Sequence, residues 1–172
     1  MPQLLILAFL CSTLSVRTPD YDSSTTNDER FLKRAAISAM TEVRLGELAI
    51  QRTDSQPIRD FARRMVTSYS LTTKEIRELA DRKGIACPSH LDGKHKQIVE
   101  DLAQLTAPGF NRAYMAVVIE THEQDIGAFE SHGATGCDAD IRDWISSTLP
   151  KLREHLQVAR ETRRQTDVGT DG

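Results

Sequence analysis

Glu42, Tyr69, His122 and His155 are the residues of this chain whose types could do chemistry and whose spacing would bury them. His122 shares a run with Met115, Val118, Ile126 and Phe129 at intervals of three and four residues, so a helix aims its imidazole along the apolar seam. Glu42 interrupts the stripe Leu32, Ala35, Ala39, Gly46, Ala49 in the same way. Tyr69 interrupts Ile58, Phe61, Met65, Thr72, Ile76, Leu79, and His155 interrupts Ile141, Ile145, Thr148, Leu152, Ala159. At about 1.5 Å per helical residue the first three lie near mid-helix, with His155 within about two turns of them. Ionisable groups inside a bundle are costly unless paired or metal-bound, so the four should meet.

Two chemistries fit that meeting. One is a mononuclear metal site, with carboxylate oxygen from Glu42, imidazole nitrogen from His122 and His155, and Tyr69 as a partner, a mixture that suits one iron, zinc or manganese ion. The other is a hydrogen-bond network with no metal, in which a carboxylate beside two imidazoles responds to pH. Haem between the two histidines has no further support in the sequence. The Glu-x-x-His pairs of di-iron bundles do not occur in the chain, which disfavours ferroxidase chemistry of that form. Glu123, Asp125 and Glu154 flank the histidines and are expected to turn towards solvent. Ser131-His132, Ser89-His90 and His95 have no orienting acid in sequence and read as exposed polar groups. No catalytic residue is assigned.

The elements that must position these residues follow from punctuation and periodicity. Helix 1 is expected from a cap at Asn27 or Asp28 to about Thr53, and helix 2 from the turn Asp54–Pro57 to a stop at Gly84. Ile98, Leu102 and Leu105 mark a short linker helix, and Thr106–Gly109 opens helix 3, which runs to Gly133. Helix 4 starts at Asp138 and contains Pro150, expected to kink it one turn before His155. Gly46 and Gly127 are expected to permit close helix approach, and Trp144 to lie in the core. Four long amphipathic helices with short hairpins and one long linker give an all-α fold. It is a ferritin-like four-helix bundle with a short extra helix in the crossover between helices 2 and 3. An up-down bundle is the alternative topology. The crossover version puts Cys87 and Cys137 at the same end, either as a disulfide closing a loop of about 50 residues, worth about 4 kcal/mol, or as two unpaired thiols.

With 172 residues, 39% hydrophobic and 27% charged, the chain supports one domain with a real core. A net charge of -3 gives no reason to expect nucleic acid, and the body is expected to be soluble, with no internal run near the about 20 apolar residues of a membrane span. Leu4 to Val16 is the length of a signal-peptide core, although no Lys or Arg precedes it. Phe9 and Leu10 stand before Cys11 where lipoprotein cleavage sites want small residues. The expected organisation is a signal peptide over 1–20, a polar linker over 21–27, the bundle over 28–164 and a disordered tail over 165–172. The partner is not specified, and a homo-oligomer stays open.

The segments FLKRAAISAMTEVRLGELA, FARRMVTSYS, YMAVVIETHEQDIGAFE and LPKLREHL, in this order and spacing, carry a resemblance. The chain resembles an exported bacterial family catalogued as a domain of unknown function, often labelled putative outer membrane protein, with a ferritin-like helical bundle. The resemblance spans roughly residues 31–159 and reaches Glu42, His122, Pro150 and His155. It departs at Ser68-Tyr69-Ser70, where relatives usually have Asp-His-Ser, so Tyr69 replaces a family histidine. The resemblance implies a periplasmic or cell-envelope location. The expected function is a structural, interaction or stress-related bundle protein, the alternative a mononuclear metalloprotein or oxidase.

Overall fold

Residues 23–168 are described by a computed structural model. Their elements are α1 (Ser23–Arg52), α2 (Gln56–Arg82), α3 (Gly93–Ala103), α4 (Ala107–Ala134) and α5 (Ala139–Val168). The seams of the four long helices read from the sequence become inward faces. The whole α1 stripe from Leu32 to Ala49, including Glu42 and Gly46, is buried, and so is the α2 stripe apart from half-buried Thr72. Among the described residues no strand forms and no helix is long and apolar enough to cross a membrane.

Pairs of contacts fix the directions. Gly46 packs on Ala62 and Val66 while Arg77 reaches Met40, so α1 and α2 are antiparallel. The pairs Glu130–Arg153 and Glu123–Arg160 make α4 and α5 antiparallel. Phe61 meets Tyr114, and Tyr69 meets His122 further along both helices, so α2 and α4 run parallel. The chain from Lys83 to Thr106 therefore crosses the length of the bundle, and α3 within it packs on α1 and α4. This is the ferritin-like crossover and not the up-down alternative.

Both ends of the bundle domain differ from expectation. α1 begins at Ser23, inside the expected linker, because Asp28 does not cap it: the Asp28 carboxylate is buried and bonded to His132 and the Asp138 amide. α5 continues through residues 165–168, expected as tail. The pairs Arg164–Glu161 and Arg163–Asp167 and a Thr166 hydroxyl bonded to the Thr162 carbonyl hold its polar last turns. The expected signal peptide, residues 21–22 of the linker and residues 169–172 lie outside the described residues.

Local details also sort themselves. A Cβ at Gly46 would sit 2.7 Å from Val66 Cγ2 and 3.1 Å from the Ala62 carbonyl oxygen, so close α1–α2 approach requires glycine there. Gly127 meets nothing within 4 Å and has no such role. Trp144 is half-buried against Phe129 and donates its indole N–H to Glu75 Oε2. Pro150 lies inside α5, so the Ser146 carbonyl receives no amide from it. Leu105 lies beyond α3 and is exposed.

Candidate functional site

The bundle brings Glu42, Tyr69, His122 and His155 to one level. His122 is fully buried, and its Nδ1 lies 2.8 Å from the Val118 carbonyl oxygen one turn back on α4. A carbonyl only accepts, so Nδ1 carries the proton and Nε2 accepts from the Tyr69 hydroxyl at 2.9 Å. Burial lowers the His122 pKa to about 4, against an upward pull from the Val118 carbonyl and with a further push down from His155. His122 is therefore neutral at pH 7, and both of its ring nitrogens are engaged.

Glu42 is 1% exposed, and neither of its carboxyl oxygens has a hydrogen-bond partner. Its Oε1 stands 3.7 Å from His122 Nδ1, beyond hydrogen-bond range. Burial, then the negative charge of Asp125, holds its carboxyl proton well above the usual carboxylate range. Burial, Glu42 and Asp125 raise the Tyr69 phenol likewise. Tyr114 hangs its own unpaired, buried hydroxyl near Glu42, which adds to the effect of burial on its pKa. His155 packs its ring 5.8 Å from His122 and 5.5 Å from Tyr69. Its Nε2 meets the Ser68 hydroxyl at 3.2 Å, while Nδ1 is buried without a partner. Burial, then Arg64 and Lys151, lowers the His155 pKa to about 4.

Of the flanking acids, Glu123 and Glu154 face outward to Arg160 and Arg64 as expected. Asp125 does not, since its carboxylate turns in to accept from Ser38 of α1, and burial raises its pKa. Glu42, His122 and His155 do not bring three ligand atoms within 4.8 Å of one another; among the described residues Asp28, His132 and Cys137 do.

That second group sits at the end where α1 starts and α4 turns into α5. His132 Nε2 donates to Asp28 Oδ1 at 2.7 Å, and the Asp138 amide donates to Asp28 Oδ2 at 3.0 Å. The Phe31 ring stacks on His132 with centroids 4.2 Å apart. Gly136, at φ +77°, reverses the chain so that buried Cys137 returns towards them. Lys83, just past α2, bridges Asp138 and Asp140, which ties that helix end to the same corner. Cys87 and Cys137 are free thiols, so the disulfide alternative is not realised: the Cys137 sulfur lies with Asp28 and His132 instead.

A family model described as a domain of unknown function (DUF4142) matches residues 15–162. The chain belongs to this family. Among solved structures it is similar to a "DUF305 fragment from Deinococcus radiodurans", with a TM-score of 0.71 over 82% of this chain and 98% of that one. At 12% identity this likeness concerns the fold alone. No curated protein matches.

Within this DUF4142 domain, sequence reasoning found the central four residues and missed the group at the bundle end. Asp28 reads locally as a cap, His132 as an exposed polar residue and Cys137 as either half of a disulfide or an unpaired thiol. The signal that joins them is topological, because an acid at the start of α1 faces a histidine at the end of α4 only once the two helices are antiparallel. His90 with Ser89, and His95 on the Asp92 cap of α3, stay peripheral.

Proposed function

We infer that this DUF4142 chain is a non-catalytic, exported helical-bundle protein of the cell envelope, with a structural, interaction or stress-related role. Its central cluster is a neutral polar core. The observation that carries this reading is His122: with Nδ1–H given to Val118 and the Nε2 lone pair taken by Tyr69, it has nothing left to offer an ion. Tyr69 consumes that lone pair. A neutral, doubly bonded imidazole specifies the packing of α2 against α4.

The test is elemental analysis of the purified protein beside His122→Ala, each also incubated with iron, zinc or manganese. The expected variant loses stability and leaves metal content unchanged. Loss of about one equivalent of metal in His122→Ala would instead establish the mononuclear centre. One observation favours that second reading: both Glu42 oxygens and His155 Nδ1 are buried without partners, as vacant ligand atoms would be. Export rests on the apolar segment Leu4 to Val16, and a chain that fractionates uncleaved with the cytoplasm would overturn it.

A further inference from the structure

We propose that Asp28, His132 and Cys137 bind one zinc-class divalent ion at the bundle end, leaving a fourth position for water or another small ligand. The donor set is one carboxylate oxygen, one imidazole nitrogen and one thiolate sulfur. Zinc accepts this mixture of hard, borderline and soft ligands, and a three-ligand site keeps one position open. The three ligand atoms lie within 4.8 Å of one another, one from the start of α1 and two from the end of α4 and the turn after it. In a tetrahedral site with metal–ligand distances of about 2.0–2.3 Å, neighbouring ligand atoms stand about 3.5 Å apart. The 2.7 Å contact between His132 and Asp28 therefore opens slightly as an ion replaces the bridging proton.

The groups around the ligands hold them in place without the ion. The Asp138 amide fixes the Asp28 carboxylate, the Phe31 ring fixes the plane of His132, and Arg142 donates to the Cys137 carbonyl at 2.8 Å to fix the turn. Such outer contacts orient ligands in metal sites. Of the three ligands, His132 lines a groove of about 380 Å³ with Arg30, Arg34, Ser131 and Thr135 among others. Binding takes the imidazole with Nε2 free of its proton and Cys137 as thiolate, so ion uptake is coupled to proton release. The site is independent of the central cluster, since ten helical residues, about 15 Å, separate His132 from His122.

Cobalt(II) is the probe, titrated into the reduced full chain in the absence of chelators. The expected result is a thiolate-to-cobalt charge-transfer band with strong visible bands of a four-coordinate ion, saturating at about one equivalent and displaced by zinc. Cys137→Ser abolishes the charge-transfer band, and His132→Ala and Asp28→Asn weaken binding by about tenfold or more with helix content retained by circular dichroism. Cys11→Ser, Cys87→Ser and His122→Ala keep the band, which separates this site from the other two thiols and from the central cluster. A folded wild-type chain without the band, or a band that survives Cys137→Ser or vanishes in Cys87→Ser, overturns the assignment.

Discussion

Replacing Glu42 by methionine should stabilise the protein, the reverse of what removing a metal ligand would do. The carboxyl is 1% exposed and neither oxygen has a partner. A buried polar group left bare costs about 1–3 kcal/mol, and an apolar chain of similar length and volume removes that cost. A second contribution depends on pH. Burial and Asp125 raise the Glu42 pKa well above 4.5, so the folded protein holds a proton that the unfolded chain gives up. The contribution of this proton is complete below the unfolded value and is lost as pH rises towards the folded one, at about 1.4 kcal/mol per pH unit. Methionine carries no such loss. The stability gained by Glu42→Met should thus be about 2 kcal/mol near pH 5, about 4–8 °C in Tm for a chain of this size, and larger at pH 7. Urea unfolding of both proteins at the two pH values measures it. A variant less stable than wild type, or a gain that does not grow with pH, would refute the bare neutral carboxyl.

Tyr69→Phe leaves His122 Nε2 without its donor and should cost about 1–3 kcal/mol in urea unfolding. His122 itself should titrate near pH 4 when followed by NMR, against about 6.5 for an exposed ring. Since its folded pKa is depressed, the stability tied to it is present above about pH 6.5 and is lost as pH falls through about 4. Titration near 6.5 would contradict the burial. Gly46→Ala drives a methyl against Val66 and the Ala62 carbonyl oxygen, and the backbone atom cannot step aside, so a loss of about 1–3 kcal/mol is expected. Gly127→Ala, with open space around it, should gain about 0.5–1 kcal/mol by the same measurement.

The fold was legible because each helix carries a full apolar stripe and because hairpin lengths differ. The short Asp54–Pro57 and Ala134–Asp138 connections pair neighbours, and the long stretch between α2 and α4 has the reach to cross the bundle. Its ends were less legible, for two opposite reasons. Asp28 has the look of a cap, yet its carboxylate serves the α4–α5 turn, so α1 extends past it to Ser23. Residues 165–168 have the look of a tail, yet ion pairs along the same helix suffice to continue α5.

The site was legible to the level of residues and not of atoms. Periodicity places an imidazole, a phenol and a carboxyl at one height, but their partners depend on where each lone pair ends up. His122 turns Nδ1 to its own helix, a bond any buried helical histidine can make with the carbonyl four residues back, and this orients Nε2 at α2. What stands on α2 then decides the chemistry. A phenol donates a proton to Nε2 and closes the network, whereas a second imidazole there could present a lone pair beside it and leave both free for an ion. The single exchange at Tyr69 thus bears on whether the centre is polar packing or a ligand set. The Tyr69→His variant tests that: if the reasoning holds, it acquires an affinity for zinc or iron that the wild-type centre lacks, and this affinity disappears with His122→Ala. A Tyr69→His protein that folds and binds no more metal than wild type would mean that Glu42 and His155 lie too far apart to complete a ligand set around His122.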